Sequence, residues 1–263
     1  MMKQTKQTQD SNGNIKMRLI VLSSDSTGNG YLLKASDGEV LILEAGVRLS
    51  KVKRALDFNL EKIAGLVVSH THEDHARYLL EYQAAGIPCY VNEDTKRSRM
   101  GEMQFYNTHV VEAKKRKVIG NFMILPFELE HDVQNYGYLI HHHESGLICF
   151  LTDTHYCRYK FDGLNNILVE ANFSQQIIDQ KLMDGKGSLY VRNRVLTHHM
   201  ELETTKEFLR ANDLTKVNNI VLLHLSMDNS SKRQFHSEIT ALTGKQVHIA
   251  EEGLEIELNE TAI

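Results

Sequence analysis

Short stretches that alternate apolar and polar positions, or are apolar throughout, recur along the chain between segments with a helical repeat. Residues 15–23 and 31–34 read as strands. Between them SSDSTGNG, with Gly28 and Gly30, predicts an irregular loop. EVLILE at 39–44 is a buried strand and GLVVS at 65–69 a short one. Ser50 is placed to cap a helix with Val52, Ala55 and Leu56 on one face. Residues 75–85 continue as helix until Gly86 and Pro88 stop it.

Further on, strands dominate. Residues 118–127 form one, and 136–143 with 147–152 form a hairpin around Glu144, Ser145 and Gly146. Two more are expected at 167–170 and 219–223. Helices are expected at 175–184, at 204–212, and after Ser230 or Ser231, where Phe235, Ile239 and Leu242 share a face. The closing VHIAEEGLEIEL reads as a hairpin. Strands outnumber what a simple βαβ wind needs, so two sheets with outer helices, an α/β (α+β) sandwich, fit better. Residues 15–263 make one domain behind a flexible tail at 1–14.

A chain of 263 residues buries roughly 70–75% of its unfolded surface and needs no covalent staple. Cys89, Cys149 and Cys157 form no CxxC, which argues against a disulfide framework and a zinc knuckle. No apolar run approaches ~20 residues, so no membrane span is expected. The polar start lacks the apolar segment of a secretory signal, and the cytoplasm is the expected location. Thirty basic against 34 acidic residues give a net charge of −4, which provides no global attraction to nucleic acid. The anomaly is histidine, at 14 residues.

The densest chemistry follows the strand at 65–69, in His70-Thr71-His72-Glu73-Asp74-His75. In an extended segment His70 and His72 point to one side. Asp74 and His75 follow where the chain turns into a helix, whose N-terminus favours a carboxylate. Three imidazoles and a carboxylate within six residues exceed the needs of one open catalytic metal and suit two neighbouring ones.

HTHEDH matches the HxHxDH signature of the metallo-β-lactamase superfamily. The resemblance extends to His131 in FELEHD, Asp153 in FLTDT and His224 in VLLHLS, each after an apolar strand. It implies a four-layer αββα sandwich and two divalent ions, Zn²⁺ or Mn²⁺. One would be held by His70, His72 and His131, the other by Asp74, His75 and His224, with Asp153 between them. SSDSTGNGYLL, LILEAG, GLVVSHTHEDH, THHMELETTKEFL and HLSMDN further resemble the YycJ/WalJ-like subgroup. These bacterial proteins are described as DNA 5′-exonucleases and are relatives of RNase Z and the PhnP phosphodiesterase. In that resemblance His199 matches a histidine that binds no metal but contacts phosphate, so Asp74 and His199 are the expected catalytic residues. His198 is read as an ordinary histidine.

Three positions depart from the subgroup pattern. Glu44 stands where Asp is usual, His155 follows the TDT segment, and Glu201 replaces a serine. Ser24, Ser26, Thr27 and Asn29, with Ser226 and Asn229, fall in loops that the resemblance brings near the site. Of these, Ser26, Asn29, Ser226 and Asn229, together with His155, are the expected substrate contacts. Consecutive His141, His142 and His143 alternate faces at a strand end and cannot join one site. Lys96-Arg97-Ser98-Arg99, Lys114 to Lys117, and Arg192 with Arg194 are solvated faces that can also track a phosphate backbone.

The expected protein is a dinuclear metal-dependent hydrolase, a phosphodiesterase or nuclease trimming DNA from the 5′ end, with nucleic acid as its partner. A thioester, lactam or lactone hydrolase on the same fold stays open, as does a metal-stabilised binding protein without turnover. A redox di-iron site is disfavoured, because His72 stands where flavodiiron relatives carry Glu.

Overall fold

The computed structural model describes residues 16–101, 103, 106–187 and 195–261. The expected tail at 1–14, Arg192 and Arg194 lie outside the described residues. Two seven-stranded sheets make up the centre. The first contains β1 (Met17–Asp25), β2 (Gly28–Lys34), β3 (Val40–Leu43), β4 (Ile63–Val67), β5 (Cys89–Val91), β6 (Thr108–Val110) and β14 (Glu255–Leu258), in the order β14-β1-β2-β3-β4-β5-β6. The second contains β7 (Lys117–Ile119), β8 (Phe122–Leu129), β9 (Asn135–His142), β10 (Gly146–Leu151), β11 (Leu164–Glu170), β12 (Asn219–Leu223) and β13 (Gln246–Ile249), in the order β13-β12-β11-β10-β9-β8-β7.

The layering follows from strands that are apolar on both faces. In β3, Leu41 and Leu43 join the cluster between the sheets, while Val40 and Ile42 face outward. There they meet α1 (Leu49–Ala55), α2 (Glu73–Ala76), α3 (Leu79–Ala84) and α4 (Glu93–Met100). In β12, Val221 and Leu223 point inward, whereas Ile220 and Leu222 pack outward with α6 (Leu202–Ala211) and α7 (Lys232–Thr243). A further helix, α5 (Gln175–Met183), runs from the loop after β11. The outcome is the four-layer αββα sandwich.

Several local expectations are corrected. SSDSTGNG is not an irregular loop: β1 and β2 pair through it as far as Asp25 and Gly28, and a bulge at Val21 to Ser23 absorbs the irregularity. The last two strands do not form a hairpin. β13 lies parallel to β12 in one sheet and β14 antiparallel to β1 in the other. Local alternation marks a strand but not its partner. Ser50 is inside α1, whose N-cap is Arg48. The stretch 75–85 divides into two short helices, and 118–127 contains a hairpin turn between β7 and β8. Ser231 does cap α7, accepting from Gln234 N–H.

The C-terminal ends of β3, β4, β8, β10, β11 and β12 converge at one edge of the sandwich. Glu44, Asp153 and His224, directly after or near those ends, have φ of 67°, 52° and 53°. Such left-handed backbone is uncommon for residues with a Cβ and clusters at functional sites. The turn after β3 also presses on the loop after β4. Ala45 N donates to His75 O (2.7 Å) and Gly46 N to Asn29 O (3.0 Å). A Cβ on Gly46 would overlap the Asp74 carbonyl oxygen and Asn29 N. We therefore expect Gly46→Ala to lower stability by about 1–3 kcal/mol, the usual cost of overpacking. Urea unfolding reads this directly, and an unchanged midpoint would show that the turn has room.

Candidate metal centre

His70 leaves β4 through Ser69, whose hydroxyl lies 2.9 Å from His70 Nδ1 and leaves Nε2 for the cleft. His72 precedes α2, and Asp74 and His75 lie in its first turn. His131 follows β8, Asp153 follows β10 and His224 follows β12. Three groups of ligand atoms result here, each mutually within 4.8 Å: His70, His72, His131 and Asp153; Asp74, His75, Asp153 and His224; and Asp153, Glu170, His199 and His224. Asp153 belongs to all three, and in the last the His199 Nδ1 is already bonded to Glu170 Oε1.

The spacing can be tested against a metal. Ligand atoms of a tetrahedral zinc at ~2.0–2.1 Å lie about 3.3 Å apart. His72 Nδ1 and His131 Nε2 are 3.2 Å apart. His75 Nε2 is 3.3 Å from Asp74 Oδ2 and from Asp153 Oδ2, and His224 Nε2 is 3.4 Å from Asp74 Oδ2. The Nε2 atoms of His70 and His224 are buried without any hydrogen bond. Buried polar atoms left unpaired are costly unless something else meets them. The donor set and its spacing thus fit two divalent ions.

The outer contacts fit the same arrangement. Glu44 is fully buried, accepts from Ser69 N–H (3.3 Å), and has Oε2 3.5 Å from His75 Nδ1. The longer side chain at this position therefore still reaches its imidazole, and carboxylates behind metal-ligating histidines set ring orientation. Asn29 is wholly buried; its amide lies 3.3 Å from Asp74 Oδ2 and 3.1 Å from His75 Nε2. It supports the ligands and has no exposure to a substrate, contrary to expectation. Ser226 and Asn229 are also corrected. Ser226 Oγ accepts from Asn229 N–H, and Asn229 O accepts from Ser174 N–H, so both brace the loop after β12. Ser24 Oγ likewise accepts from His224 N–H (2.9 Å).

A cleft of about 730 Å³ opens on the cluster, lined by Ser26, Glu73, Asp132, His198 and His199 besides the metal-spaced residues. Of the expected substrate contacts only Ser26 lines it; His155 lines a neighbouring cavity that shares His199. His198, read as ordinary, lies at the mouth with Nε2 3.6 Å from Asp132 Oδ2. Asp132, missed from sequence, is also 3.2 Å from His131 Nε2 and 3.4 Å from His72 Nε2.

The main omission from the sequence reading is Glu170, fully buried at the end of β11. Its Oε1 lies 2.6 Å from His199 Nδ1, and its Oε2 accepts from the N–H groups of Thr154 (3.0 Å) and Met200 (3.2 Å). The bond fixes the His199 ring with Nε2 left for the cleft. Burial disfavours the His199 imidazolium, but Glu170 outweighs it and raises the pKa above the ordinary histidine value. Burial likewise opposes the Glu170 charge, and His199 brings its pKa below the usual carboxylate range.

Among the described residues neither Lys96 to Arg99 nor Lys114 to Lys117 lines the cleft. Arg99 turns its guanidinium inward, donating to Thr71 O (2.7 Å from Nε) and pairing with Glu73. Lys117 pairs with Ile124 at the start of β8, seven residues before His131 and therefore roughly 20 Å from it along the strand. His142, His143 and Glu144 also come within 4.8 Å. There Glu144 accepts from Ser36 N–H and hydroxyl, and His142 Nδ1 accepts from Glu144 N–H, so those atoms are committed elsewhere. The three cysteines are buried and free; burial pushes the Cys89 thiol up to about 12. Among the described residues no helix is long and apolar enough to cross a membrane.

Comparison with known proteins agrees with this geometry. The family model of the metallo-β-lactamase superfamily matches residues 24–154. The exodeoxyribonuclease YycJ of Bacillus anthracis is 25% identical over 226 residues, covering 81% of this chain and 83% of that protein. The metallo-β-lactamase fold protein YhfI of Bacillus subtilis superposes with a TM-score of 0.72 at 19% identity, over 92% of this chain and 99% of its own. Human tRNase Z, short form, gives 0.60 at 16% identity, over 92% and 99%. These two solved structures share the fold, and the family match runs through the HTHEDH loop as far as Thr154. The chain belongs to the metallo-β-lactamase superfamily of metallo-hydrolases.

Proposed function

We propose that this protein is a dinuclear phosphodiesterase that trims DNA from a 5′ end. His70, His72 and His131 would hold one ion, Asp74, His75 and His224 the other, and Asp153 both. When bound, two such ions lower the pKa of water and neutralise phosphoryl oxygens. The observation that carries the reading is the His199–Glu170 pair beside the cluster. A phosphodiester expels an alkoxide, a strong base that needs a proton as it leaves. His199 Nε2 is oriented to supply one, and Glu170 holds the ring in place and favours its protonated form. A thioester expels a thiolate and has far less need of such a group. Asp74 lines the cleft, with Oδ2 toward His75 and His224, and its other oxygen takes the proton of the attacking water.

Resemblance to an exodeoxyribonuclease supports DNA over RNA, and the tRNase Z neighbour shares only the fold. The net charge of −4 and the acidic rim at Glu73 and Asp132 make binding modest and salt-sensitive.

Elemental analysis of metal-saturated protein should give two ions per chain. Asp153→Ala should lose both metal and activity. His199→Ala should keep both ions and lose turnover by ~10²–10⁴-fold, the scale of a positioned acid. A wild-type ratio of one, or metal loss in His199→Ala, would overturn these roles.

End-labelled oligonucleotides supplied with Mn²⁺ or Zn²⁺ decide the substrate and polarity. A 5′ label should appear at once in very short products, with a 3′ label left on a shrinking ladder. Rapid hydrolysis of a thioester or nitrocefin, with neither DNA nor RNA cleaved, would replace the nuclease reading.

A further inference from the structure

The donors assigned to the two ions differ in what keeps them together. His75 lies 3.3 Å from Asp74 and from Asp153 and 3.5 Å from Glu44. His224 lies 2.8 Å from Asp153, 3.4 Å from Asp74 and 3.5 Å from Glu170. Imidazoles and carboxylates interleave there, and such a set attracts itself. The other set is three imidazoles, His70, His72 and His131, with ring centroids 4.8–4.9 Å apart. Asp153, its buried carboxylate, is 3.8 Å from His70 Nε2. Asp132, near His72 and His131, has an exposed side chain, and water screens its charge. The three rings also come from two sheets, His70 and His72 after β4 and His131 after β8. Their separation has to be set from outside.

The helix α4 supplies that hold. Asn92, its N-cap, is fully buried, and Oδ1 accepts from Thr95 N–H (2.7 Å). Capping needs only this oxygen, and serine or aspartate would serve as well. The amide nitrogen is used beyond the helix. Nδ2 donates to Ser69 O and to Gln134 O, each at 2.9 Å. Both partners are carbonyls, so the amide has one satisfactory orientation. Ser69 directly precedes His70, and Gln134 lies three residues after His131. One side chain thus ties the loop after β4 to the loop after β8. Ser69 O also accepts from Tyr136 N–H of β9 (3.1 Å), a second tie between the same sheets. At the other end of α4, Arg99 donates to Thr71 O (2.7 Å from Nε), between His70 and His72.

We infer, resting on the ligand assignment proposed above, that Asn92 and Arg99 are positioning residues for the ion of His70, His72 and His131, and that this ion alone depends on α4. Asn92 sets the distance between the His70 and His131 loops. Arg99 sets the path of the chain from His70 to His72. The second ion owes its site to the interleaved charges and keeps its affinity when α4 is altered.

Zn²⁺ binding to the full chain at buffered free concentrations, with bound ions counted by elemental analysis, tests this. Asn92→Ser keeps a cap for Thr95 but cannot span both carbonyls. It should weaken one of the two Zn²⁺ ions by roughly 10–100-fold, the usual effect of losing support behind a ligand, and leave the other unchanged. His72→Ala protein, left with the Asp74, His75 and His224 ion, should lose nothing further on adding Asn92→Ser. His224→Ala protein, left with the other ion, should show the full loss. Arg99→Lys keeps the charge beside Glu73 without the paired donors to Thr71 O, and should weaken the same ion. If Asn92→Ser does not fold, Arg99→Lys decides in the same two backgrounds. Wild-type affinity for both ions, or an equal loss in His72→Ala protein, overturns the role of α4 and leaves the ligand assignment standing. Two ions retained by His72→Ala or His224→Ala protein would overturn the assignment, and this inference with it.

Discussion

Asp153 is the residue on which the arrangement depends. It is 2% exposed, and an unpaired carboxylate at that depth would be prohibitive. Burial alone would push its carboxyl up, but His224 and His75 hold it well below the ordinary range. His70 and His75 come from the sheet containing β4, whereas Asp153 and His224 come from the sheet containing β10 and β12. The carboxylate is compensated only where the two sheets meet at the right separation. Leu43 and Val67 packed against Phe150 and Leu223 set that separation. Packing of the inner core and assembly of the cluster are therefore one problem.

Much of this was legible in the sequence, because the signals were local. HTHEDH compresses four of the clustered residues into six positions, and the αββα layering follows from strands such as VLIL that are apolar on both faces. What escaped was non-local. The partner of β14 lies in β1, more than two hundred residues away, so VHIAEEGLEIEL offers no hint that its halves enter different sheets. Asn29 reads as a loop polar residue until the hairpin carries it beneath Asp74. Glu170 left a usable trace, a single carboxylate ending the apolar run ILV, as Glu44 ends VLIL and Asp153 follows CFLT. Buried strands that end in an acid point to a place where several such ends converge.

Of the basic runs, Lys114 to Lys117 are solvent-exposed as expected, whereas Arg99 turns inward to a different use. Arg99 holds the Thr71 carbonyl, between His70 and His72, and pairs with Glu73, which also pairs with Arg77. Its guanidinium is spent on the conformation of the HTHED segment. Lys114 to Lys117 lie in a turn and on the edge strand β7, where charge discourages edge-to-edge association of sheets. Among the described residues, the chemistry lining the cleft is thus concentrated in the cluster and His199.

That concentration makes relative position the quantity to be controlled, and Glu170 controls it. One oxygen holds the His199 ring and lies 3.5 Å from His224 Nδ1; the other accepts from the backbone of Thr154, next to Asp153, and of Met200, next to His199. A single buried carboxylate therefore links the Asp153 turn, His224 and His199. No rotation of His199 is available without breaking a bond that also sets the turn carrying Asp153. His199 and the clustered ligand atoms are thus held in one frame through Glu170.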